Sequence, residues 1–237
     1  MQENWNATTV PQTGTTTITV DASAQQRVLR NTYWLLALTM IPTVIGALMG
    51  ASFAFGPLFK AYPIMAPIGM FLVMLGLLFG VSAARNSVWG VVLTFAFTFV
   101  AGFFLGPILQ HALKLSNGGQ LVALAGGMTG AILFTMAGIA TVTKKDFSFL
   151  GKFLFVGLIL LVVASLVGLF FPIPALQLTL SAVAVLLFSL YILYDVSNII
   201  HGGETNYVMA TINLYLDIYN IFVSLLNLLM AFSGQRD

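Results

Sequence analysis

The sequence predicts an all-α polytopic membrane protein with seven transmembrane helices, and three observations predict it. Only 7% of the 237 residues are charged and 59% are hydrophobic, whereas soluble domains carry about 25% charged residues. Apolar runs of about 20 residues, each enough to cross roughly 30 Å of hydrocarbon as helix, recur along the whole chain. No run alternates polar and apolar residues with period two, which excludes a transmembrane β-barrel. The chain has no cysteine, so disulfides, thiolate metal sites and cysteine nucleophiles are ruled out.

Residues 1–26 are rich in Thr, Gln and Asn and poor in apolar groups, too few to offset the entropy of ordering. They read as a flexible polar cytoplasmic tail, followed by a seven-helix transmembrane bundle over 27–237. A cleaved signal peptide would begin with basic residues, but Arg27 and Arg30 follow the tail. The first apolar segment is therefore read as a retained span. The seven helices are expected at about 32–55, 61–83, 88–110, 119–142, 148–171, 175–200 and 206–231. Turn and breaker residues punctuate them: Gly56-Pro57, Arg85-Asn86, Ser116 to Gly119, Lys144 to Asp146, Pro172 to Pro174 and His201 to Glu204. Gly106-Pro107 should kink the third span, because proline removes a backbone donor and clashes with the preceding turn.

Charge placement orients the bundle. With a cytoplasmic N-terminus, that side receives Arg27, Arg30, Arg85, Lys144, Lys145 and Lys152, and the far side only Lys60, Lys114 and Arg236. The excess of basic residues on the cytoplasmic side favours N-in and, after seven spans, C-out. Small residues at four-residue spacing, Gly46/Gly50, Gly102/Gly106, Ala123/Gly127 and Gly126/Gly130, read as close helix packing within one bundle.

The chemistry concentrates in the last two spans. On the seventh, Asn213, Asp217, Asn220, Ser224 and Asn227 recur at steps of four and three and form one polar face. This marks the seventh helix as the polar-cored centre of the bundle. On the sixth, Tyr191, Asp195 and Asn198 share a face by the same spacing. A carboxylate at mid-membrane costs about 2.5 to 3.5 kcal/mol on insertion scales, so such residues are rare and usually functional. Two carboxyl groups in a low-dielectric site cannot both ionise easily; they share a proton, and the site responds to pH. If the two helices start level across their hairpin, the aspartates are offset by roughly 9 Å, and direct contact needs a later start of the seventh helix or a bridging water. His111 and His201 have no zinc-spaced partner and read as solvated loop residues.

The stretches "FSLYILYDVSNI", "INLYLDIYNIFVSLLNLL", "KKDFSFLGKFL" and "TFAFTFVAGFFLGPIL" resemble the transmembrane Bax inhibitor motif family. "VLRNTYWLLALT" and "NIIHGGETNYVMATINLY" are similar to its YccA-type bacterial branch, whose members are described as modulators of the FtsH protease. The resemblance covers residues 27 to about 231. It implies six helices around a central seventh and a location in the bacterial inner membrane. It also implies that Asp195 and Asp217 act as a pH-responsive pair governing a Ca²⁺ leak. In that picture a basic residue near the cytoplasmic end of the second span latches the sixth-span aspartate, and Arg85 is the residue here that fits.

Three functions compete. One is a pH-gated cation leak with no bound cofactor, Ca²⁺ or protons being the transported or gating ions and deprotonated Asp195 and Asp217 the oxygen ligands. The second is a membrane partner, and substrate, of FtsH without transport. The third, an intramembrane aspartyl protease, needs two such aspartates. Tyr194-Asp195 matches half of that signature, but Leu214-Tyr215-Leu216 precedes Asp217 where a GxG is required. The reading is therefore non-enzymatic, with no catalytic residue. The net charge of +2 is too dilute for nucleic acid, so the expected partners are the lipid bilayer and an FtsH complex.

Overall fold

The computed structural model describes residues 22–171 and 173–234, all helix and connecting turns, with no strand among them. Among the described residues nine helices run in order: α1 (Ala22–Ser52), α2 (Phe55–Ala61), α3 (Met65–Ala84), α4 (Val88–Phe104), α5 (Gly106–Ala112), α6 (Gly118–Thr143), α7 (Leu150–Phe170), α8 (Pro174–Ile200) and α9 (Tyr207–Ser233). Among the described residues seven stretches are long and apolar enough to cross a bilayer, with α4 and α5 together making one of them. The helix ends agree with the sequence expectation to within a few residues, except at the first span. There α1 begins at Ala22, ten residues early, and the short α2 intervenes before α3. The predicted tail lies outside the described residues up to Asp21.

Lipid gives the backbone no hydrogen-bond partner, so each span must satisfy its own polar groups. Hydroxyls do this by bonding back one turn: Thr43 to Thr39 O at 2.7 Å, Thr94 to Gly90 O at 2.8 Å and Ser189 to Val185 O at 2.6 Å. Where a helix ends, a side chain takes over. The Gln110 amide donates to the carbonyls of Gly50, Ala51 and Phe53, which closes the C-terminus of α1. At Gly106-Pro107 the third span does break: α4 stops at Phe104, and α5 resumes with Pro107 in its first turn.

The bundle is organised around α9, which packs on α1, α6 and α8 and also touches α3, α4 and α5. The remaining span, α7, rests on α8 instead. Helix α9 thus holds the central place that its polar face predicts, with α7 the most peripheral span. Tyr215, only 1% exposed, pins α9 in place. Its hydroxyl lies 3.0 Å from Thr43 Oγ1 on α1 and donates to Thr98 O on α4 at 3.3 Å, while its ring meets Phe97 edge-on. Thr211 adds a bond from α9 to Thr32 O of α1.

The small-residue pairs divide into two groups. A Cβ on Gly46 would strike the Phe99 carbonyl, one on Gly102 the Thr43 carbonyl, and one on Gly50 or Gly106 would also meet facing backbone. These four let α1 pass against α4 and α5 at backbone contact distance. Gly126, Gly127 and Gly130 on α6 instead face open space. Identical spacing does not say which partner, if any, lies opposite.

Candidate functional site

The paired aspartates sit where α8 and α9 run antiparallel. Asp195 is 8% exposed and Asp217 4%, and their carboxyl groups lie within hydrogen-bonding reach of each other. Direct contact corrects the assumption of level helix starts. Asp195 lies five residues before Ile200, and Asp217 ten residues after Tyr207, so α9 must begin about 7 Å beyond the level of Ile200. The hairpin turn makes room for this. Gly202, at φ 77°, lets the backbone reverse in the left-handed region, and residues 204–206 lead to α9 without regular structure. Asn206 then caps α9, its Oδ1 accepting from the Val208 and Met209 amides at 3.0 and 3.1 Å.

Electrostatically the pair is short of partners. The Asp217 Oδ2 atom is sealed from solvent and has no hydrogen-bond partner among the described residues. No ion pair joins either aspartate to a basic side chain among those residues, and no cluster of three or more His, Cys, Asp or Glu side chains offers a metal site there. Two carboxyl oxygens in mutual contact are acceptor against acceptor unless a proton lies between them. Glu204 in the hairpin turn is close enough for its charge to act on Asp195, and Tyr191 feels both carboxyls.

The other predicted residues are placed as follows. Asn220 follows Asp217 by one turn and bonds back to Leu216 O at 2.8 Å. Asn220, Ser224 and Asn227, with Ser165 of α7 and Gln177 and Ser181 of α8, line a cavity of about 770 Å³ between α7, α8 and α9. Asn213 is half-buried on the hairpin side of Asp217. Asn198 turns away from the pair. Its carbonyl accepts from the Gly203 and Glu204 amides, and its side chain covers Gly203, so it closes the C-terminus of α8. Arg85 is exposed just past α3, and its backbone carbonyl accepts from the Asn206 side-chain Nδ2 at 3.1 Å. Sequence spacing gave no sign of the Tyr215 anchor, whose partners lie 172 and 117 residues away.

The family model described as inhibitor of apoptosis-promoting Bax1 matches residues 25–234. The chain belongs to the Bax inhibitor family. Among its Bax inhibitor relatives, an uncharacterized protein of Pseudomonas aeruginosa is 45% identical over 221 residues, 90% of this chain and 95% of the relative. An Escherichia coli protein named modulator of FtsH protease YccA is 42% identical over 205 residues, covering 86% and 89%. The same identity and coverage hold for a protein of a second E. coli strain, named inner membrane protein YccA.

Proposed function

We propose that this Bax inhibitor family protein is a pH-sensitive cation leak of the bacterial inner membrane, with Asp195 and Asp217 as its control element and Ca²⁺ as the ion. The observation that carries the reading is the contact between two buried carboxyl groups, one with an orphaned oxygen. A proton between them ties α8 to α9. Loss of that proton leaves two negative charges in an apolar setting, which must draw in water or a cation. Carboxylate oxygens suit a hard divalent ion in transit. The cavity supports the reading because its polar lining begins one helical turn from Asp217. Asn220, Ser224 and Asn227 thus continue the polar face from the pair toward the far side of the bilayer.

Because the chain contains no cysteine, single cysteines at 224 and 227 give a direct test of that route. A membrane-impermeant thiol reagent added on the periplasmic side should label both, at least tenfold faster than a cysteine placed at the lipid-facing Phe155. Labelling only from the cytoplasmic side would reverse the proposed N-in, C-out orientation. No labelling from either side would remove the cavity from the pathway.

A second reading is favoured by the E. coli relative named as a modulator of FtsH: this chain also engages that protease, the polar tail serving as a handle. Deleting residues 2–20 should slow FtsH-dependent turnover by several fold while the bundle stays folded. Unchanged turnover would remove the tail from that role.

A further inference from the structure

The hairpin end of α8 carries a second titratable joint. His201, the first residue beyond α8, has both ring nitrogens against backbone carbonyls: Nδ1 lies 2.8 Å from Ser197 O, and Nε2 lies 3.2 Å from Lys144 O in the α6–α7 loop. Carbonyl oxygens only accept, so both bonds form together only when both nitrogens carry protons, that is, in the imidazolium form. The Ser197 hydroxyl also lies 3.3 Å from Nδ1. It accepts from the Phe147 amide at 2.9 Å and has Lys145 O at 3.3 Å as an acceptor for its own proton, while the shortest contact of Nδ1 is the 2.8 Å one to Ser197 O.

We propose that His201 is a proton-operated clamp that fastens the end of α8 to the α6–α7 loop when charged and releases that loop when neutral. The neutral ring keeps its shorter bond within the helix, Nδ1–H to Ser197 O, so the bond surrendered is the one between elements, Nε2 to Lys144 O. With the ring charged the clamp is complete; with the ring neutral the bond to Lys144 O is gone. The charged groups around the ring are Asp146, Lys144 and Lys145 on the facing loop, Glu204 in the hairpin turn and Asp195 back along α8. Asp146 carries hydrogen bonds from Ser148 that hold its carboxyl below the usual carboxylate range. Lys144, held at φ 51°, takes a left-handed conformation that non-glycine residues seldom adopt, and the His201 bond falls on its carbonyl.

The chain supplies its own control. His111, the one other histidine, has the same one-turn bond from Nδ1, to Pro107 O at 3.1 Å, but Nε2 has no acceptor among the described residues. The clamp does not depend on the cation reading, because its test measures amide exchange and ring protonation, not flux. Hydrogen–deuterium exchange of the full-length protein, corrected for intrinsic rates, would compare the 144–148 amides at about pH 5.5 and about pH 8. Protection should fall by about tenfold at the higher pH. His201→Gln should abolish that difference, and His111→Gln should preserve it. Nitrogen NMR of the His201 ring reads the same proton without a variant: both nitrogens protonated in acid, and the Nδ1–H tautomer in base. A pH response that survives in His201→Gln, a wild-type loop indifferent to pH, or a neutral ring protonated at Nε2 would each overturn the clamp.

Discussion

Gly102→Ala should destabilise the protein by about 1 to 3 kcal/mol, the range for forcing extra atoms into a filled interface. The new methyl would fall on the Thr43 carbonyl and its neighbouring backbone atoms. Backbone, unlike a flexible side-chain tip, cannot rotate aside, so α1 and α4 must separate along their whole contact. That contact is the most extensive between any two helices of the bundle, and it also carries Thr43, one of the two groups that hold Tyr215 and therefore α9. Gly46→Ala should behave alike, because its methyl meets the Phe99 carbonyl from the opposite helix. Gly126→Ala and Gly130→Ala, with open space around them, should be neutral within about 0.5 kcal/mol or slightly stabilising, since alanine is the better helix former. Thermal or denaturant unfolding in detergent would separate the two groups. Equal losses at all four positions would mean that α6 packs on something as closely as α1 does on α4.

These glycines mark where sequence reading succeeds and where it stops. The seven spans are legible because the bilayer imposes length and apolarity locally, residue by residue, whatever the helices pack against. The break at Gly106-Pro107 is legible for the same reason, since proline acts on its own backbone. The polar face of α9 follows from helical periodicity alone. What periodicity cannot supply is the relative height of two helices. The level-start assumption separated Asp195 from Asp217 by about 9 Å, whereas the Gly202 reversal and the irregular connector before α9 accommodate the stagger that brings the carboxyls together. Long-range partners are equally hidden. Tyr215 looks like any interfacial aromatic until Thr43 is placed beside it, and His201, exposed as the sequence suggests, shows its bond to Lys144 O only once the α6–α7 loop is in place. The seven-residue α2 escaped because a helix so short leaves no periodic signal.

The second large effect is expected at the aspartates. If Asp195 and Asp217 share one proton, each carboxyl ionises against the charge of its neighbour. Replacing either with asparagine removes that opposing charge while keeping nearly the same shape and a hydrogen-bonding side chain. The survivor then gives up its proton more readily, so the pH profile of cation flux moves toward acid in both Asp195→Asn and Asp217→Asn. A structural role makes a different forecast. Asparagine would supply a comparable hydrogen bond across the helix pair, and flux, if there is any, would not follow pH in the wild type or in either variant. The two variants should also resemble each other, because each leaves one carboxyl facing one amide. Their double variant, which retains neither carboxyl, should lose the pH response altogether.

The most direct test is Ca²⁺ entry into liposomes containing the purified wild-type, Asp195→Asn and Asp217→Asn proteins, measured across a pH series. The shared-proton account predicts pH-dependent entry in the wild type and profiles displaced toward acid, by similar amounts, in both variants. Wild-type entry that is absent or flat with pH, or variant profiles that superimpose on the wild type, would contradict it.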